Sequence, residues 1–317
     1  MELYNRFSTY LVNRYGEKTY KIPINIPVTC PNRDGTIGSF GCIFCGDEGA
    51  GFETLSSCVP VESQLEQNIN YIGRTYSSRK FIAYFQNFTN TYVDFSKFKE
   101  YMRAAIRPDV VAIYISTRPD AISDRYLEFL QQIKDKYHVD IVIELGLQTV
   151  NIRTLKFLER GHSLSHFLDA VFRIKKNKLC VCAHMILDIP KDNIDDVVEG
   201  ARVLSVLKVD QVKCHSMYIL EGTKLAKYYK SGEIVPVSKE EYVERVISFL
   251  ENLSPDVVVQ RLLGRAPKDK TLFCNWDTSW WKIKDEIEDK MRRRNSYQGR
   301  LFNYTNGIKI LGKKIES

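Results

Sequence analysis

The sequence has 317 residues, 44% of them hydrophobic, which is enough to bury a large core in one α/β domain, with or without an appendage. Its net charge of +7 comes from residues 258–317, which hold 14 Lys and Arg against 7 Asp and Glu. No uncharged run approaches the roughly 18 residues of a membrane span, and the charged, aromatic N-terminus does not look like a signal peptide. We therefore expect a cytoplasmic protein without a membrane partner.

In chain order, the sequence alternates between strand-like and helix-like stretches. The strand candidates, rich in β-branched and aromatic residues, are Thr19–Val28, Lys80–Gln86, Asp109–Ile115, Val139–Leu145, Cys180–Leu187, Gln211–Met217 and Val257–Arg261. The amphipathic segments between them are Val61–Tyr76, Phe95–Ile106, Ser123–Tyr137, Ile152–Leu158, Leu164–Lys176, Ile194–Leu207 and Lys239–Leu253. Successive βα units predict an α/β fold with a parallel sheet, either open and doubly wound or a complete or partial barrel.

The first strand leads into a cysteine-rich loop from Cys30 to Cys45, which reads CPNRDGTIGSFGCIFC. Eight unevenly spaced cysteines in a chain of this size favour metal chemistry in a reducing compartment over a disulfide framework. The three cysteines of the loop are one ligand fewer than a closed structural metal site uses, which leaves a coordination position for a substrate or cofactor. Gly35, Gly38 and Gly41 are expected to allow positive φ and close backbone approach.

Polar residues mark the ends of the later strand candidates. Gln86 and Asn87 end the second and Ser116 follows the third, while Gln148 follows the fourth and His184 lies in the fifth. Because function concentrates at the carboxyl edge of a parallel sheet, these residues predict a lined pocket that faces the cysteine loop.

Six motifs now point to one family. They are NIPVTCPNRDGTIGSFGCIFC, YFQNFTNTY, YISTRPD, ELGLQTVN, LERGH and HMILDIP, in that order over about residues 15–265. Together they resemble the radical S-adenosylmethionine (SAM) superfamily, and within it the small bacterial proteins related to the catalytic radical SAM domain of Elongator. The resemblance implies a partial TIM-like (β/α)6-type barrel over residues 1–265, followed by a basic C-terminal extension over residues 266–317.

The same resemblance implies the cofactors. A [4Fe–4S] cluster is expected on Cys30, Cys42 and Cys45, with SAM on its fourth iron. Reductive cleavage of SAM would give methionine and a 5′-deoxyadenosyl radical that abstracts hydrogen from the substrate, with electrons from a donor such as flavodoxin or ferredoxin. The residues implied near SAM are Gln86, Asn87, Ser116, Gln148, Arg160 and His184. No catalytic side chain is assigned.

Two features depart from the family pattern. Most of the superfamily has three residues in the first gap between the cysteines, whereas this loop has eleven, and Asp188-Ile189-Pro190 stands where Gly-Leu-Pro is usual.

An alternative is that the loop cysteines and Cys58 bind one zinc ion, but this leaves the downstream motifs unexplained. The roles of Asp188, Cys58 and Cys274 stay open, and His184 could instead be a satisfied strand histidine.

The basic C-terminal segment offers a clue to the substrate. Trp276, Trp280 and Trp281 precede a series of cations that ends in Arg292, Arg293 and Arg294. Cations interleaved with aromatics suit phosphate contacts and base stacking and predict an RNA surface. The alternative is a charged amphipathic helix over 283–294 with a solvated face.

The family resemblance makes tRNA the expected partner and a wobble uridine the expected substrate. A finer expectation is that the enzyme trims a 5-carboxymethylaminomethyl side chain towards 5-aminomethyl. Two alternatives remain at this point. One is a radical SAM enzyme that acts on a small metabolite or peptide, and the other is a zinc-bound RNA-binding protein without enzymatic activity.

Overall fold

The computed structural model describes residues 2–46, 54–76, 78–267 and 269–305. Within these ranges the strands are β1 (Thr19–Ile24), β2 (Lys80–Phe85), β3 (Val110–Thr117), β4 (Asp140–Gln148), β5 (Cys180–Ile186), β6 (Gln211–His215), β7 (Tyr218–Leu220), β8 (Val258–Arg261) and β9 (Thr271–Cys274). The α-helices are α1 (Phe7–Tyr15), α2 (Val61–Tyr76), α3 (Phe95–Ala104), α4 (Asp124–Tyr137), α5 (Ile152–Phe157), α6 (Leu164–Lys176), α7 (Ile194–Val206), α8 (Lys224–Lys230), α9 (Lys239–Asn252) and α10 (Trp280–Arg293).

Seven strands form one parallel sheet in the order β1-β2-β3-β4-β5-β6-β8. The sheet curls into a half-barrel, which confirms the predicted partial TIM-like architecture. All seven strand candidates lie in it, and helices α2 and α6 have the bounds that the amphipathic pattern predicts. The sequence analysis did not predict β7 and β9, which form a separate antiparallel pair. No helix in the described part of the chain could cross a membrane.

The strands are buried on both faces, as expected for parallel strands covered by crossover helices. On the outer face, Ile113 and Ile143 join Phe167 of α6 in the main apolar core. Because side chains alternate along a strand, the neighbouring residues Tyr114 and Glu144 face the interior of the half-barrel. The sheet therefore separates an apolar outer core from an inner face that carries polar groups.

Helix α1, which the sequence analysis did not predict, lies against this inner face. Its Leu11 packs with Ile82 and Tyr114, and the ring of Phe7 meets that of Tyr114 edge-on at 6.2 Å. The residue before the helix forms a parallel bridge with Val259 of β8. Because α1 also contacts β1, the N-terminal segment spans the two edge strands of the half-barrel.

Helix α10 belongs to the same packed body. Its buried residues Ile283, Ile287 and Met291 join the main apolar core, and the helix packs against α9. Its buried Glu288 accepts a hydrogen bond of 3.0 Å from the hydroxyl of Tyr4 near the N-terminus. The region that the sequence assigns to a C-terminal extension therefore packs onto the barrel, while the proposed boundary at residue 265 stays a prediction.

Candidate functional site

A cavity of about 1060 Å³ runs from the cysteine loop along the inner face of the half-barrel. Eight of the nine residues that the sequence analysis singled out line it, namely Cys30, Cys42, Cys45, Gln86, Ser116, Gln148, Arg160 and His184. The ninth, Asn87, is buried but is not among the lining residues. The fold thus gathers residues from six separate strands and loops around one space.

The last two cysteines are held by a short turn with an apolar anchor between them. The backbone N–H of Cys45 donates to the carbonyl of Cys42 at 3.0 Å. Between them, the buried Ile43 donates to the carbonyl of Leu158 at 3.2 Å and accepts from the N–H of Leu225 at 2.8 Å. These contacts tie the loop to α5 and α8, so that both thiols are held at the cavity wall.

The glycines of the loop are required for two different reasons, a positive φ or the close approach of another residue. Gly35 and Gly41 have φ of 92° and 76°, in the left-handed region that side chains with a Cβ rarely adopt. Gly38 is instead required by close approach, because a Cβ there would lie 2.6 Å from Oδ1 of Asn32. The turn therefore depends on missing side chains at these three positions.

Two arginines bring positive charge to the thiols. Nη1 of Arg160 donates to Sγ of Cys42 at 3.0 Å, and Nη1 of Arg118 lies 3.9 Å from Sγ of Cys30. The hydrogen bond from the Cys45 thiol lowers the pKa of Cys42 well below its ordinary value, with help from the Arg160 charge. The same hydrogen bond raises the pKa of Cys45, and burial adds to the increase. The loop thus stabilises thiolate at Cys42, the form that ligates metals.

The side chains of Arg160 and Gln148 both lie close to Gly146. Nη2 of Arg160 donates to the carbonyl of Gly146 at 2.8 Å, and Nε donates to Nε2 of His162 at 3.2 Å. His162 is a neutral acceptor, because burial and the Arg160 charge lower its pKa to about 3. Gln148 has φ of 76° beside a break in the β4–β5 register, and left-handed backbone at such a residue is typical of functional sites. A Cβ on Gly146 would lie 3.0 Å from both side chains, so the glycine makes room for them.

The polar stretch after β2 is held by Asn90. Its side-chain amide donates to the carbonyls of Phe85, Asn87 and Ser116 at 3.1, 2.9 and 2.8 Å. Among the described residues, the buried Oδ1 of Asn87 and Oγ1 of Thr89 have no hydrogen-bond partner. Since buried polar atoms are normally paired, these atoms are candidates to contact a bound molecule.

An ionic network forms the inner wall of the cavity, centred on the buried Glu144. Its Oε1 pairs with Nζ of Lys21 at 2.6 Å, while Oε2 contacts Nε2 of His184 at 2.8 Å and Nζ of Lys213 at 3.2 Å. Burial by itself would raise the pKa of Glu144, but the two lysines lower it well below its usual range. The hydroxyl of Ser116 also reaches Oε2, at 3.4 Å. His184 and Ser116 therefore bond to this carboxylate.

The sequence analysis missed the basic part of this wall. Lys21, Lys213 and Arg261 all line the cavity, and none was assigned a role. The available signal was a charged residue inside an otherwise apolar strand, because such a residue needs a partner within the fold. His162, which accepts a hydrogen bond from Arg160, was also not among the predicted site residues.

The mouth of the cavity carries aromatic and basic groups from the C-terminal region. Trp280 and Lys284 line it, and the guanidinium of the exposed Arg265 lies 4.8 Å from the ring centre of Trp280. Trp281 stands perpendicular to Trp280, with 52% of its surface exposed. We call Arg265, Trp280, Trp281 and Lys284 the mouth surface. Lys284 pairs with Asp285 at 3.2 Å and with Glu288 at 3.4 Å, whereas Arg265 forms no ion pair with a described carboxylate.

Two of the three arginines at the end of α10 pair with carboxylates of the chain, and Arg293 forms no ion pair with a described carboxylate. Arg292 pairs with Asp289 at 2.6 Å and with Glu288 at 3.3 Å. Arg294 contacts both carboxylate oxygens of Glu244, at 2.6 and 2.8 Å. This geometry matches the amphipathic-helix alternative for this part of the segment and leaves the mouth as the stronger candidate for a nucleic-acid contact.

Three residues that the sequence left open lie away from the cavity wall. Cys58 is exposed, and Cys274 lies partly buried on β9. Asp188 is buried, and its Oδ1 accepts a hydrogen bond of 2.7 Å from the N–H of Met217. Burial raises the pKa of Asp188 to about 7. The cavity lining of the described chain does not include these three residues.

Comparison with known families gives two matches. The Radical SAM superfamily matches residues 26–204, and the Radical_SAM C-terminal domain matches residues 209–293. The second match crosses from the barrel into α10, in agreement with the packing of that helix onto the core.

Individual relatives cover the chain to different extents. Protein YtqA of Bacillus subtilis (strain 168) is 31% identical over 300 residues, which span 94% of this chain and 92% of the relative. The tRNA uridine(34) acetyltransferase of Methanocaldococcus infernus is 29% identical over 148 residues, 46% of this chain and 27% of that protein. Among solved structures, archaeal Methanocaldococcus infernus Elp3 with an N-terminal deletion superposes with a TM-score of 0.66 and 17% identity, covering 88% of this chain and 64% of Elp3.

Proposed function

The chain belongs to the radical SAM superfamily, and we propose that it uses the chemistry of that family to modify the side chain of a wobble uridine in tRNA. Members of the family use a [4Fe–4S] cluster and SAM. Partial homology to a tRNA uridine(34) acetyltransferase and to Elongator proteins supports the choice of substrate.

The residues around the cysteine loop fit these cofactors. Three thiols from one loop face a cavity large enough for SAM and part of a substrate, and the pKa of Cys42 is already lowered. We assign Cys30, Cys42 and Cys45 as the cluster ligands. When bound, the reduced cluster supplies the electron that cleaves SAM and generates the radical.

Other residues at the cysteine-loop end of the cavity bind and orient SAM. We assign its carboxylate to Arg160, whose planar guanidinium suits bidentate contacts, with Gln148 beside it. Gln86, Thr89 and Ser116, which line the cavity, are the candidates for the remaining polar groups of SAM. Asn87, whose buried Oδ1 has no partner among the described residues, lies next to them in the chain and stays a candidate. His184 lines the same cavity, where it is held by its bond to Glu144. An electron donor such as flavodoxin or ferredoxin would reduce the cluster.

One observation carries the proposal of an RNA substrate: a single cavity joins the cysteine loop to the mouth surface. There a nucleobase can stack on an exposed tryptophan, while Arg265 meets a phosphate. A base flipped out of the anticodon loop would thus enter from the mouth and place its side chain towards the radical. The finer proposal is trimming of a 5-carboxymethylaminomethyl group towards 5-aminomethyl.

The test compares tRNA nucleosides by mass spectrometry. A strain that lacks the gene is complemented with the parent protein, with Cys42→Ala, or with the matched control Cys58→Ala at an exposed position. We expect the deletion and Cys42→Ala strains to accumulate one wobble-uridine precursor, and the parent and Cys58→Ala to remove it. Identical nucleoside profiles in all strains would overturn the tRNA proposal and favour a small metabolite or peptide as the substrate.

A further inference from the structure

The inner wall of the cavity holds more positive than negative charge. Glu144 is the carboxylate at its centre, and the two ammonium groups of Lys21 and Lys213 already surround it. Arg261 adds a third cation to the lining from the end of β8. One carboxylate therefore faces three cations in this part of the described cavity wall.

Arg261 is the cation that this wall leaves without a counter-charge. Its Nη2 donates to Nδ1 of His215 at 2.7 Å, and no carboxylate in the described part of the chain forms an ion pair with it. Its Nε is buried and has no hydrogen-bond partner among the described residues. His215 does not supply the missing charge, because burial and the Arg261 charge lower its pKa well below 6.5 and keep it neutral.

An unpaired guanidinium in such a place is costly. Arg261 is partly buried, and removing a cation from water without a counter-charge is unfavourable, so such charges are normally paired. Arg261 cannot relieve this cost by losing its proton, since guanidinium stays charged in proteins. The planar fork of an arginine matches a carboxylate in two-point contact. The arrangement is that of a receptor for an anion that arrives with a ligand.

Lys213 adds a second donor to this receptor. Its Nζ lies 2.7 Å from the hydroxyl of Tyr84, and it faces the same cavity as Arg261. Lys213 on β6 is the register partner of Arg261 on β8, so the two residues are neighbours across the parallel strands. The Arg261 charge accordingly contributes to the lowered pKa of Lys213. An anion between them would neutralise both.

We propose that Arg261, assisted by Lys213, forms a subsite for a carboxylate group on the substrate. The inference rests on the proposed function, since a 5-carboxymethylaminomethyl uridine would bring such a carboxylate into the cavity. The subsite would select side chains that end in a carboxylate and hold the adjacent methylene carbons at a set position. RNA phosphates and the carboxylate of SAM are the other sources of an anion, and the experiment separates them.

The experiment measures binding of anticodon stem-loop RNAs to the reconstituted protein with SAM but without reductant, so that no turnover occurs. Three RNAs share the same phosphates and differ at the wobble uridine, which carries a carboxymethylaminomethyl group, its neutral carboxamide analogue or no side chain. We expect the parent to bind the carboxylate RNA roughly tenfold more tightly than the carboxamide RNA, as for one charge-assisted contact. Arg261→Gln should abolish this preference, and the matched control Arg125→Gln, far from the cavity on α4, should retain it.

The outcomes separate the sources of the anion. Equal binding of carboxylate and carboxamide RNAs by the parent would overturn the subsite, as would an equal loss of affinity for all three RNAs in Arg261→Gln. Loss of SAM binding in that variant would assign the guanidinium to the cofactor and also overturn it.

A second measurement tests the subsite without RNA. If no RNA binds the parent, the proposed function fails, and thermal unfolding in sodium acetate and sodium chloride of equal ionic strength then decides the inference. A ligand that binds the folded state raises the unfolding midpoint. We expect acetate to stabilise the parent over chloride by more than it stabilises Arg261→Gln, and an equal response of the two proteins would overturn the subsite.

Discussion

The cysteine loop and the inner wall face one cavity, but they differ in whether their reactive or charged groups already have partners within the chain. In the loop, three thiols gather positive charge from Arg118 and Arg160 and still offer their sulfur atoms to a ligand. In the wall, the buried Glu144 already forms ion pairs with Lys21 and Lys213, so this carboxylate needs no ligand to balance its charge. We therefore expect changes in the loop to affect cofactor binding and changes at Glu144 to affect the stability of the fold.

The largest expected effect is loss of the cluster. We expect Cys30→Ala, Cys42→Ala and Cys45→Ala each to lose nearly all reconstituted iron, because two thiolates are too few to retain a cubane. Iron content and absorbance near 400 nm after anaerobic reconstitution measure this. Cys58→Ala is the matched control and should keep the parent value. Normal iron in any of the three variants would show that the ligand set is wrong.

The next effect tests the wall as a folding element. Glu144→Gln leaves Lys21 and Lys213 without their carboxylate, and we expect a loss of about 3–5 kcal/mol in the free energy of unfolding. Denaturant titration of the apo protein measures it. The control Glu100→Gln breaks an exposed pair with Lys97 and should cost less than about 1 kcal/mol. A near-neutral Glu144→Gln would mean that the wall does not stabilise the fold.

The pH dependence of the same wall provides a further check. Burial lowers the pKa of Lys213 to about 7 in the folded protein, against 10.5 for an ordinary lysine. Between these values the unfolded chain binds more protons, so the contribution of this lysine to stability rises with pH, by up to about 1.4 kcal/mol per unit. We expect the parent to gain stability relative to Lys213→Met as the pH rises from 7 towards 10.5. A constant difference between the two proteins would contradict the lowered pKa.

A change at Arg160 should weaken SAM binding. Arg160→Lys retains the charge but loses the planar fork, which also donates to Gly146 and His162, so we expect about ten- to hundredfold weaker SAM binding in a protein that still folds but is less stable. Equilibrium binding of SAM to the reconstituted protein measures this. Arg153→Lys, on the exposed start of α5, is the control. If Arg160→Lys binds SAM as tightly as the parent, the residue serves the loop and not the cofactor.

The smallest expected effect compares two basic surfaces. Replacing Arg265 and Lys284 of the mouth surface with Gln should lower the log–log salt slope of tRNA binding by somewhat under one unit for each lost phosphate contact. The double change of Arg292 and Arg294 should alter the slope less, since both of these arginines pair with carboxylates, whereas in the mouth surface Lys284 is paired and Arg265 is not paired with any described carboxylate. Affinity at several salt concentrations measures both. A larger change for the second pair would move the RNA surface to the end of α10.

Features that depend on local pattern could be predicted from the sequence. Residues 61–76 and 164–176 were predicted as helices with their observed bounds, because 3.6-residue spacing of apolar side chains records which face packs inwards. The cysteine loop could also be predicted as a metal-binding site, since its candidate ligands are close in the chain and its glycines mark a turn. The alternation of strands and helices was enough to indicate a parallel sheet with a site at its carboxyl edge.

The pairing of charges that are distant in the chain could not be predicted from the sequence. Lys21, Glu144, Lys213 and Arg261 come from four strands, and no local pattern shows that two of these cations share one carboxylate while the third has none. The same holds for α10, whose arginines read as a basic patch until Glu244 from α9 neutralises Arg294. Local sequence records which face of an element is buried, but electrostatic pairing depends on side chains that approach only after the chain has folded, and so the inner wall was visible only in three dimensions.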